Sequence, residues 1–166
     1  MMRRLCVLLF CSLCVTQVQA EALPEKFGKW TVITSKDKID DTIEVFAINV
    51  TSSSKRGDPG SLAIGCKKNK THFLVQSSGY WGRGNLTVIY RLNNDNAVKL
   101  VWESSADGAS AFYPSATVPF IKSLPDTGRL FFRVHDFRGI PYEAEFQLEG
   151  VEEVKKRIGA ACSWRE

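Results

Sequence analysis

The sequence predicts a mostly β fold: an antiparallel β-sandwich or barrel with a C-terminal α-helix packed on it. Three observations carry this. Tyr142, Ala144, Phe146 and Leu148 alternate with Glu143, Glu145 and Gln147, the period of two expected of a strand with one face in a core. Two more alternating runs, Leu86 to Arg91 and Val98 to Glu103, flank the turn-forming Asn93-Asn94-Asp95-Asn96 and predict a β-hairpin. After Gly150 the period changes, and Val151, Val154, Ile158 and Ala161 fall on one stripe of an amphipathic helix.

In chain order, Met1 to Ala20 reads as a secretory signal. Arg3 and Arg4 precede an apolar stretch from Leu5 to Val15, and Val18 and Ala20 fit the small-residue exit. The predicted mature start is Glu21, with Ala20 and Ala22 as a second register. The stretch is shorter than the ~20 apolar residues a bilayer span needs. Phe10 before Cys11 and Leu13 before Cys14 are too bulky for a lipid-attachment site. An exported chain without a transmembrane span follows, forming a single domain over 21–166.

Strands are expected near Trp30 to Thr34 and Ile43 to Val50, with Asp40-Asp41 in the turn between them. Thr51 to Gly60 is a polar loop, in which Pro59-Gly60 suit the centre of a type II turn. Strands follow at Leu62 to Cys66 and Thr71 to Ser77. Gly79 to Gly84 is a glycine-rich loop, and the predicted hairpin comes next. Ser104 to Ser110 forms a small polar loop. Thr117 to Leu124 can make a short helical turn, interrupted by Pro119 and stopped by Pro125. Leu130 to His135 and Tyr142 to Leu148 are strands. On the final helix, Glu152 with Lys156 and Glu153 with Arg157 have the i, i+4 spacing of stabilising ion pairs.

Composition narrows the function. The chain is 44% hydrophobic and 24% charged, which argues for a packed core over a disordered chain. Removing the two leader arginines takes Lys plus Arg from 22 to 20 against 18 acidic residues. Such a near-neutral domain argues against nucleic-acid binding, which calls for a concentrated basic face. Cys6, Cys11 and Cys14 leave with the leader, so Cys66 and Cys162 remain. Cys66 shares a strand face with Leu62 and Ile64, and Cys162 lies one helical turn beyond Ile158. Both point inward, and in an oxidising compartment they read as one disulfide. The alternative, a redox or metal-binding pair, lacks a CxxC spacing or a neighbouring histidine.

Sites of chemistry are sparse, and no cofactor is implied. His72 and His135 fall on predicted strands. A Ser-His-Asp site could be drawn from His135, Asp136 and a serine, but no nucleophile-elbow sequence accompanies it. Asp37, Asp40 and Asp41 lack the ligand spacing of a calcium loop. The strongest candidates are protein-binding residues: Tyr80, Trp81 and Arg83 are of the types enriched at interface hot spots and lie on a loop. Asp107 and Phe112, at the small polar loop and just beyond it, form a second candidate. Asn49, Asn69 and Asn85 begin N-x-T sequons, which matter only in a eukaryotic secretory host.

Several positions together resemble the VasI/TagO family of type VI secretion-associated proteins. They are Trp30, Asp40-Asp41, Leu62-x-Ile64-x-Cys66, Tyr90-Arg91, Trp102 with Ser104, Ser105 and Asp107, Phe112, and Leu130-x-x-Arg133. Phe146-x-Leu148-x-Gly150 and Ala161-Cys162-x-Trp164 complete the pattern. The resemblance covers most of the mature chain, and its most specific parts are the strand cysteine and the terminal Ala-Cys-x-Trp. It implies a non-enzymatic accessory protein of the Gram-negative periplasm, whose partner is an envelope or secretion-system protein. The chain departs from that pattern in Thr51 to Gly60 and in Gly79 to Gly84. A more distant similarity, to secreted invasion-associated proteins of the locus B type, lacks the cysteine expected after Trp30-Thr31-Val32. Two other functional readings stand beside the accessory role: a periplasmic immunity protein that binds a toxin, and a secreted hydrolase with a site assembled from distant residues.

Overall fold

A computed structural model describes residues 23–51 and 55–165; the predicted leader lies outside them. Ten strands and two helices follow in order: β1 (Glu25–Phe27), β2 (Trp30–Lys36), β3 (Ile43–Val50), β4 (Pro59–Lys67), β5 (Lys70–Ser77), β6 (Asn85–Leu92), β7 (Val98–Ser104), β8 (Ser110–Phe112), α1 (Thr117–Ser123), β9 (Arg129–His135), β10 (Pro141–Gln147) and α2 (Val151–Ala161). The strands form one antiparallel sheet in the order β1-β2-β3-β4-β5-β8-β7-β6-β9-β10. Its first half is a meander, and its second half is joined to it through the three-residue β8. Each alternating run that the sequence marks is a strand: Leu86, Val88, Tyr90 and Trp102 are buried, as are Ala144 and Phe146, while Val98 at the start of β7 stays partly exposed.

The sheet curls until β10 returns to β2–β4. The Asn49 amide donates to the Gln147 carbonyl at 2.6 Å, and the Lys29 N–H to Glu149 O at 3.0 Å. Between the halves lies one core containing Trp30, Phe73, Trp102, Phe132 and Phe146. Buried in this way, Asn49 is closed to glycosylation in the folded chain, whereas Asn69 and Asn85 are exposed.

Helix α2 lays Val151, Val154 and Ile158 on the inner face of β1–β4. Cys162, just past its end, is bonded to Cys66 on β4, with Cα atoms 5.6 Å apart. The Trp164 indole then donates to Thr71 Oγ1 at 2.8 Å, so the C-terminus is fastened to β4 by a covalent bond and to β5 by a hydrogen bond.

Three local expectations are corrected. Pro59-Gly60 does not form a turn: Pro59 opens β4 opposite Ser77, and the register shifts by a bulge between Pro59 and Ser61. A strand's first residue tolerates a missing N–H, and glycine tolerates a bulge. Pro119 does not interrupt α1, because it sits in the first turn, where amides have no helical acceptor to lose. On α2 the ion pairs form at i, i+3 instead, Glu152 with Lys155 and Glu153 with Lys156, while Arg157 reaches across to Glu25 on β1.

Candidate protein-binding surface

The loops before β4, between β5 and β6, between β7 and β8, and between β9 and β10 meet at one end of the sheet. Trp81 joins them. Its indole Nε1 donates to Gly57 O at 2.6 Å, its backbone N–H to Gly108 O at 2.7 Å, and its carbonyl accepts the Phe137 N–H at 2.7 Å. The side chain is wholly buried. Expected as a contact residue on a flexible loop, Trp81 is instead the internal anchor of all four loops. An indole can do this because its apolar body fills space while its single donor reaches a backbone acceptor.

Glycines permit the close packing around this anchor. A Cβ on Gly57 would run into the Tyr142 ring, and one on Gly108 into the Tyr80 ring; both have positive φ, 101° and 70°. Side chains at these points would displace β10 or Tyr80 and would strain the backbone as well.

On this anchored base stands an exposed group of aromatic, arginine and aliphatic side chains. Tyr80 is 53% exposed, Phe137 65% and Ile140 41%. The Tyr80 and Phe137 rings meet edge to face with centroids 5.8 Å apart, and the Arg138 guanidinium lies 5.3 Å from the Phe137 centroid. Arg83 is exposed at the β6 side of the same loop end. Large apolar side chains presented together in this way, with arginine beside them, are a hallmark of contact surfaces.

The β9–β10 turn that carries Phe137 is held by Asp136. This carboxylate accepts the N–H groups of Arg138 at 2.8 Å and Ile140 at 2.9 Å, and the Arg138 guanidinium at 3.0 Å. Burial alone would raise its pKa, but the Ile140 and Arg138 amides and the Arg138 charge outweigh that and hold it below the usual carboxylate range. Both oxygens of Asp136 are thus engaged away from His135, which stands on β9 opposite Thr87 and Pro141.

The remaining candidates divide. Asp107 is exposed, and its Oδ1 accepts the Ser105 hydroxyl and the Ala109 N–H. The Ser105 bond, then the Ala109 amide and the Arg83 charge, lower its pKa; its visible work is to shape the β7–β8 turn beneath Tyr80. Phe112 stands at the other end of β8, opposite Leu74 and edge-on to His72 at 6.2 Å. It lines a separate cleft of about 500 Å³ with His72, Glu103 and Pro114. His72 is held below its ordinary pKa by burial, then by Lys70 and Lys67. In the β2–β3 turn, Asp37 caps the Ile39 amide, Asp40 takes the Thr42 hydroxyl, and Asp41 pairs with Lys36.

The structure therefore brings Tyr80, Arg83 and Asp107 to one end, withdraws Trp81 into the interior and leaves Phe112 elsewhere. Sequence reasoning missed Phe137, Arg138 and Ile140. A signal was there: Asp136-Phe137-Arg138-Gly139-Ile140 has the punctuation of a turn, and a phenylalanine at a turn tip has no core to enter.

No family model matches the chain, and no curated protein matches it. Among solved structures, the fold is similar to the crystal structure of invasion associated protein B from Bartonella henselae. That likeness has a TM-score of 0.54 and 11% sequence identity, and covers 84% of this chain and 96% of that one. The chain shares with that protein an overall fold.

Proposed function

We propose that the chain is an exported, non-enzymatic protein of the bacterial periplasm that works by binding another protein, in the manner of a type VI secretion accessory. The observation that carries the binding role is the exposed Tyr80–Phe137–Arg138 group, mounted on a buried Trp81. Rigid mounting favours binding because less side-chain and loop freedom is lost on association. The Cys66–Cys162 disulfide supports export into an oxidising compartment. The resemblance in Leu62-x-Ile64-x-Cys66 and Ala161-Cys162-x-Trp164 supports the secretion-system assignment.

The surface rests partly on Gly57 and on Gly79 to Gly84, which lie in the two segments where the chain departs from the VasI/TagO pattern. The partner is therefore one that this chain recognises with its own loops. Affinity capture from host envelopes, read by quantitative mass spectrometry, tests the assignment. The wild-type chain enriches a secretion-apparatus component, and Tyr80→Ala/Phe137→Ala, folded by circular dichroism, loses it. Equal enrichment by both would remove the loop end from consideration.

A further inference from the structure

We propose that the free edge of β7, from Val98 to Trp102, binds an extended peptide by strand addition, with a carboxylate opposite Lys99 and apolar side chains opposite its neighbours. This site is separate from the four-loop surface and does not depend on it.

Strand β6 pairs with β7 from Val98 to Glu103, but β8 pairs only with Glu103 and Ser104. Beyond Phe112 the chain stays with β5, where the Tyr113 N–H donates to Phe73 O at 2.8 Å, and Pro114 follows without a donor. The direction of the unpaired groups can be read from the strand's end. Ser104 N–H donates to Gly84 on the β6 side, and Ser105 N–H to Ser110 on the β8 side. Backbone groups alternate along a strand, so those of Val101 and Lys99 face the β8 side, where they have no ladder partner among the described residues.

The side chains fit the same reading. Val98 and Val101 are 39% and 56% exposed. Lys99 is exposed with no ion-pair partner among the described residues. Val98-Lys99-Leu100-Val101-Trp102 is strongly β-prone with a single charge, the composition of an edge that pairs readily. Only an extended backbone presents donors and acceptors at the spacing of such an edge, as in strand-addition complexes. Strand β5 stands beyond β8 in the sheet, which favours one extended chain over the edge of a second folded copy. Opposite Val101, Leu100, Lys99 and Val98 in turn, an antiparallel partner reads Val-Val-Glu-Val.

Amide hydrogen exchange tests this on the full mature chain with the peptide Thr-Val-Val-Glu-Val-Thr as probe. In the free protein the Lys99 and Val101 amides exchange fast, and those of Leu100 and Trp102, bonded to β6, exchange slowly. The peptide protects Lys99 and Val101, and its Glu-to-Lys counterpart binds at least about tenfold more weakly. Val101→Pro abolishes binding without removing a β6–β7 hydrogen bond. Should that variant lose its fold, Lys99→Glu with the lysine peptide restores binding in its place. Protection of Lys99 and Val101 in the free monomer, absence of peptide binding, binding that leaves both amides unprotected, or self-association through this edge would each overturn the proposal.

Discussion

Replacing Trp81 with phenylalanine probes the anchor without touching the exposed surface. The indole is wholly buried, and its Nε1 is 2.6 Å from Gly57 O. Removing that donor leaves a carbonyl in a dry site, which costs about 1–3 kcal/mol. The lost part of the ring leaves a small void, worth roughly 1 kcal/mol on the cavity scale. Together Trp81→Phe destabilises the domain by about 2–4 kcal/mol. With a urea dependence of about 2 kcal/mol per molar for a domain of this size, the midpoint falls by roughly 1–2 M. Urea unfolding followed by fluorescence of the remaining tryptophans gives the number, and exchange at Phe137 N–H shows whether the loops loosen together. A midpoint unchanged within about 0.3 M would refute the claim that the indole holds the loops. Tyr80→Ala provides the contrast: its ring is half exposed, so the loss stays below about 1 kcal/mol.

Two further outcomes follow from other parts of the structure. Cys66→Ser/Cys162→Ser opens a closed loop with a sequence separation of 96, so stability falls by about 4–5 kcal/mol on the chain-entropy scale, with α2 exchanging ahead of the sheet; denaturation with and without reductant checks it. The Asp136 pKa is depressed in the folded chain. Its contribution to the β9–β10 turn is therefore complete above the ordinary aspartate value of 3.8 and is lost as pH falls through the lower folded value. Asp136→Asn removes that acid-dependent step, as read by the Phe137 and Ile140 amide resonances across an acid titration.

Much of the fold is legible because its elements advertise themselves locally. The alternation in β6, β7 and β10 and the stripe of α2 reflect one buried face each, and the inward placement of Cys66 and Cys162 follows from their neighbours' periodicity. Strands β1 and β8 are not legible, since three residues hold no pattern and they exist only because β2, β5 and β7 offer them partners. The sheet order, with β8 between β5 and β7, depends on long-range pairing that no local signal encodes. The loop site was half legible for the same reason. Residue type marked Tyr80 and Arg83, but the burial of Trp81 depends on Gly57, Gly108 and Phe137, each more than twenty positions away.

The proposed binding role requires the partner to sit on the four-loop surface. A photo-crosslinking amino acid placed at Phe137 or Tyr80, and at Asn94 in the turn at the opposite end of the sheet, tests this in living cells. The proposed site predicts adducts with one secretion-apparatus protein from Phe137 and Tyr80 and none from Asn94. Adducts to that protein from Asn94 alone, or equally from all three positions, would contradict it.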